Sequence, residues 1–162
     1  MPHRHTTQGP TIMLAMVRDT GYNLVLVVHI LAVVVAFAPA FVHPFLVRQT
    51  RSHDLADRFQ IISLMQENGQ RIYAPALAAA GLLGFTLTGM SDQLYQLSQL
   101  WLWLSAGCWL AMNGLLHGLI LKAEKQMANG DTSAQKRAEI GSGVLSLLFI
   151  LTLILMIFKP GF

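Results

Sequence analysis

The chain has 162 residues, 54% of them hydrophobic and 12% charged, with a formal net charge of +3 at pH 7. That is too apolar for an ordinary soluble domain and leaves room for several membrane spans in one domain. The basic residues sit in polar links without interleaved aromatics, which speaks against a nucleic-acid surface, and the lone Cys108 excludes an intramolecular disulfide or a multi-cysteine cluster.

Residues 1–21 are polar, contain Pro2, Gly9, Pro10 and Gly21, and read as a flexible or surface-lying arm ahead of a membrane domain over residues 22–162. The first span is expected over residues 22–47, an apolar run interrupted by His29, Pro39, His43 and Pro44. An imidazole in such a span must find a hydrogen bond, a proton pathway or a metal. His29 and His43 lie 14 positions apart, about 21 Å along a helix, so one small ligand does not reach both. Pro39 and Pro44 leave the carbonyls of Val35 and Ala40 without their usual donors, so this face is expected to point into a bundle.

Residues 48–71 form a charged connector in which Leu55, Phe59 and Ile62 recur at helical spacing, predicting a short amphipathic helix at the membrane surface. The second span is expected over residues 72–90, with Pro75 in its first turn and Gly81, Gly84 and Gly89 permitting close backbone approach. The link SDQLYQLSQ carries no Lys or Arg, and the third span follows over residues 100–121, with Tyr95, Trp101 and Trp103 as an interfacial belt. A polar connector over residues 122–139 leads to the fourth span, residues 140–158, which Lys159-Pro160-Gly161 stops.

The connectors after spans one and three hold four Lys or Arg each, which places them in the cytoplasm and both termini outside. The expected fold is all-α: an integral membrane four-helix bundle, up-down-up-down, in a bacterial inner (cytoplasmic) membrane. In that topology His43 and His117 each lie four residues from the cytoplasmic end of their spans, hence at one level about 6 Å inside. Two imidazoles facing each other there would suit a haem. Gly107, Ala111, Gly114 and Gly118 make a small-residue stripe beside His117, which opens room for a macrocycle or packs helices through the GxxxG of Gly114 and Gly118. His29 has no second histidine at its depth. It is a single axial ligand, a quinone or proton contact, or a core histidine bonded to a neighbouring helix. No HExxH, phosphate loop or co-located Ser-His-Asp grouping is present, and no Asp or Glu falls in an expected span.

One layout covers most of the chain after Tyr22. It comprises His29 early in span one, the segment RFQIISLMQENGQRIYAPALAAAGLLGFTLTG with Pro75, Trp101 opening span three, His117 near its end, and a terminal Lys159-Pro160. It resembles the small four-helix membrane proteins that include HemJ-type protoporphyrinogen oxidases, copper-resistance CopD domains and an uncharacterised "predicted integral membrane protein" family, to which the ending LMIFKPG is most similar. The HemJ resemblance implies a b-type haem in the bundle, with His29 matching the first-span histidine. WLWLSAG lacks the lysine that family has after its span-three tryptophan, and GSGVLSL replaces its Asn-Glu-x-x-Pro, so the resemblance implies fold and haem rather than the oxidase reaction.

The expected function is a redox membrane protein holding haem b through His29, or through His43 with His117, and passing electrons or oxidising a porphyrin or quinol. Two rival readings are a non-catalytic subunit or assembly factor of a larger membrane complex, and copper handling through scattered Met13, Met16, Met90, Met112 and Met156.

Overall fold

In lipid every backbone N–H and C=O must find its partner within its own segment, so apolar runs of this length fold as helices. The computed structural model describes residues 20–49, 54–91, 95–96 and 98–160, except for the side chains of His43, Pro44, Val47, Leu55, Ala56, Arg58, Phe59 and Thr132. Helix α1 (Thr20–Gln49) is followed by α2 (Leu55–Asn68), a π-helical turn (Gly69–Tyr73) and α3 (Ala74–Gly89). After the link come α4 (Leu100–Leu115), a second π turn (Leu116–Ile120), α5 (Leu121–Ala128), a short 3₁₀ turn (Thr132–Ala134) and α6 (Gln135–Phe158). Among the described residues four helical segments are long and apolar enough to cross a bilayer: Thr20–Val42, Gln60–Gly89, Leu100–Ala128 and Gln135–Phe158. The molecule is an all-helical bundle with membrane-capable helices, as the hydropathy pattern leads one to expect.

Three boundaries differ from expectation. The first helix starts at Thr20, and the rest of the expected arm lies outside the described residues. The charged connector does not end before the second span; α2 runs through the π turn into α3 without a break. Pro75 supplies the reason, since its ring crowds the carbonyl four residues back and it has no N–H to donate. The turn ahead of it is widened, with the Ala74 N–H reaching the Gly69 carbonyl five residues back, and the helix continues past the proline. The third span likewise continues through its own π turn, where the Leu121 N–H reaches the Leu116 carbonyl, and ends at Ala128.

Of the expected α2 stripe, the side chain of Ile62 is described, and it faces protein: it is buried with Ala123, Met127 and Ala134, so α2 packs against α5 and the 3₁₀ turn before α6. On α2's outer side Arg71 and Glu67 form an exposed pair at 2.9 Å, an arrangement worth a few tenths of a kcal/mol at most, roughly 0.3–0.5. The central core joins Phe37, Leu77, Met112, Ile120 and Leu145 from α1, α3, α4, the second π turn and α6. Phe37 stacks on Phe149 with ring centroids 3.7 Å apart, tying α1 to α6. Large apolar side chains point outward instead, Phe158 at 76% and Ile157 at 71% exposure among them, the inverse of a water-soluble fold.

Helix α3 buries Ala74, Leu77, Ala80, Leu87 and Thr88 along one stripe. Because lipid tails are as apolar as leucine, contact between spans depends on close approach and on interhelical hydrogen bonds, and small residues permit both. Gly81 shows this directly. The Trp109 indole of α4 lies against its Cα hydrogens, where a Cβ would collide with the ring, and Nε1 donates to the Leu77 carbonyl at 2.8 Å. Gly89, by contrast, has open space around it and brings no backbone close.

Replacing Gly81 with Val is therefore expected to displace Trp109 and cost about 1–3 kcal/mol by overpacking, while Gly107→Ala, with nothing within 4 Å of the added carbon, is neutral. Thermal unfolding of the two variants in detergent checks this; equal midpoints for Gly81→Val and wild type would refute it.

Candidate functional site

His29 stands on α1 with only 9% of its surface exposed. Its Nδ1 lies 2.9 Å from the Ala80 carbonyl of α3. A carbonyl oxygen only accepts, so Nδ1 is the donor in this contact. One turn further along α3, Gly84 lies beside the ring, where an added Cβ would stand in ordinary contact with the imidazole Cε1 at 3.5 Å. One turn earlier Trp109 donates to the Leu77 carbonyl, four residues before Gly81, and there an added Cβ would collide with the indole.

His29 borders a cavity of about 420 Å³, within the usual range of small-molecule sites, roughly 300–1,000 Å³. Its walls are almost wholly apolar, with Leu26, Val33, Phe85 and Met112 among them, and Phe37, Trp109 and Phe149 line it as well. Ser105 of α4 contributes to the wall at 5% exposure, and its Oγ has no hydrogen-bond partner among the described residues. Tyr22, Tyr95, Trp101 and Lys159 also border the space, and these come from the start of α1, the link, the start of α4 and the end of α6. Lys159 Nζ donates to the Tyr95 hydroxyl at 2.6 Å and lies 4.3 Å from the centre of that ring. Trp101 packs edge-on against Tyr95 and donates its Nε1 to Gln99 Oε1 at 3.0 Å. The link itself is folded by Ser91, fully buried, whose Oγ donates to the Thr88 carbonyl at 2.7 Å and accepts from the Tyr95 N–H at 3.0 Å.

A second cavity, about 700 Å³, shares Phe37 and Leu77 with the first, and both π turns line it through Gly69, Tyr73, Leu116 and Ile120. Its polar lining includes Arg48, Glu124, Glu139 and Ser142.

His117 is placed differently from expectation. His117 lies in the second π turn with an exposed side chain, so it faces away from the bundle rather than into it. Gly107, Ala111, Gly114 and Gly118 share that exposed face, and added Cβ atoms at the three glycines would meet nothing within 4 Å. The cause is the helical period: Trp101, Ser105, Trp109 and Met112 occupy the inward face, and the small residues fall opposite. His43 belongs to α1, but its side chain lies outside the described residues, as do His3 and His5. The inward-facing pair of His43 and His117 is thus not formed on the His117 side. Among the described residues no three of His, Cys, Asp and Glu gather as a metal group.

Sequence reasoning singled out His29 but not Ser105 or Trp109, and it read Lys159 only as a stop to the fourth span and part of the terminal layout. Trp109 had a legible signal, since the glycine at 81 marks a place of close approach on α3. The Ala80 contact predicts that ¹⁵N spectra of labelled His29 show a proton on Nδ1; an Nδ1 without one would contradict that contact. No family model, curated protein or solved structure matches this chain.

Proposed function

We propose that this is an integral membrane redox protein in which His29 would hold a b-type haem at the 420 Å³ cavity through Nε2. The single observation that carries this reading is the placement of His29: Nδ1 bonded to a backbone carbonyl, on a residue that lines a largely apolar cavity. Histidine ligands characteristically donate their other ring nitrogen in this way, which fixes the ring and raises its basicity. The donor chemistry supports the reading, since His29 is the one imidazole lining the cavity among the described residues. Such a group would supply one-electron chemistry. The chain's own share is to orient the imidazole through Ala80, to exclude water with Phe37, Trp109 and Phe149, and to set access at the Lys159 end. A quinol or a membrane redox subunit is the partner class this placement suits.

The reading carries an up-down-up-down topology in a bacterial inner membrane with both termini outside. Support comes from the basic connectors after the first and third spans, and from the contacts that gather the start of α1, the end of α3, the start of α4 and the end of α6. A non-catalytic membrane subunit is the rival, favoured by the same His29 bond, which by itself suffices as a helix contact worth about 0.6 kcal/mol.

Reduced-minus-oxidised spectra of the detergent-purified protein, before and after adding hemin, separate the two. Haem content is expected to fall at least tenfold in His29→Ala and to stay unchanged in His117→Ala. A protein that takes up no haem leaves His29 with its structural bond alone. For orientation, Ser98→Cys is expected to react with an impermeant maleimide from outside and Lys125→Cys only after permeabilisation; the opposite pattern inverts the topology.

A further inference from the structure

A lysine just past a spanning helix ordinarily extends its stem outward so that the ammonium sits in water. Lys159 does not. It adopts a left-handed backbone, φ 42° and ψ 60°, a conformation unfavourable for a residue with a Cβ, while its N–H caps the Leu155 carbonyl at 2.9 Å. That reversal lays the side chain back across the end of the bundle, over the rings of Tyr95 at 4.3 Å and Trp101 at 5.9 Å, where Nζ reaches the Tyr95 hydroxyl and lines the His29 cavity. The cavity therefore has two chemically distinct parts: an apolar body, and one end presenting an ammonium and a phenol.

We propose that the Lys159–Tyr95–Trp101 end of this cavity recognises the acid group of an amphipathic ligand, a carboxylate or a phosphate, whose apolar body lies along the cavity past Ser105. The ammonium supplies a charge-assisted hydrogen bond, and the two aromatic rings hold it at the membrane boundary. This rests on the reading that the cavity holds a ligand, and it names the part of that ligand the chain's own residues select. A haem propionate and a lipid acid head share the chemistry.

Binding titrations of the full-length protein in nanodiscs use four probes: hemin, hemin dimethyl ester, parinaric acid and its methyl ester. Lys159→Met is expected to weaken hemin at least tenfold and to leave the dimethyl ester within twofold. Tyr95→Phe is expected to act in the same direction with smaller effect, and Lys159→Arg to keep wild-type affinity. Equal effects on acid and ester, or no effect on either, overturn the inference. If neither iron porphyrin binds but parinaric acid does, with the same Lys159 dependence and no binding of its ester, the acid-end inference stands and the haem reading fails. Binding of no probe overturns both. Should Lys159→Met fail to fold, the Tyr95→Phe and Lys159→Arg variants decide on the same criteria.

Discussion

Two carbonyls of one helix organise this bundle. Leu77 O and Ala80 O of α3 each lie one turn before a glycine, and each accepts a ring N–H from a different helix, Trp109 of α4 and His29 of α1. In a bilayer the hydrophobic effect does not draw spans together, so such contacts decide which faces meet. Helix α3 packs chiefly on α1 and α4 chiefly on α6, and the Trp109 bond links the two pairs.

The same two contacts shape the space between the helices. Trp109 fills the gap beside Gly81, the smaller imidazole of His29 lies beside Gly84, and both residues line an apolar cavity. Stacking of Phe37 on Phe149 brings α1 against α6 where this cavity and the larger one share lining. Lys159, folded back rather than outward, gives the first cavity a charged end. The larger cavity, bordered by both π turns, is more polar in its residues. π turns recur at functional positions because they shift the side chains that follow by about one register step.

The histidines show where arithmetic on a sequence reaches its limit. Depth follows from a rise of about 1.5 Å per residue, and it set His43 and His117 at one level, while Pro44 and the glycine stripe supplied the expectation that both face inward. Facing is a separate property, set by the angle at which a helix is turned about its own axis. On α4 that angle is decided by Trp101, Ser105, Trp109 and Met112, which put His117 and its neighbouring glycines on the outer side. A stripe of small residues and a stripe of aromatics on opposite faces of one apolar helix are equally plausible interiors until a partner is known.

Hydropathy and charge determined by themselves that the chain folds into four apolar helices, where the polar link at SDQLYQLSQ divides them, and that His29 is a buried imidazole needing a partner. These are local properties: length, composition and the cost of an unsatisfied polar group in lipid. The continuity of α2 with α3, the outward turn of His117, the acceptor chosen by His29, and the return of Lys159 over Tyr95 were decided only by tertiary structure. Each depends on which residue of another helix arrives opposite, and in an all-apolar segment no polar-apolar alternation marks that face in advance.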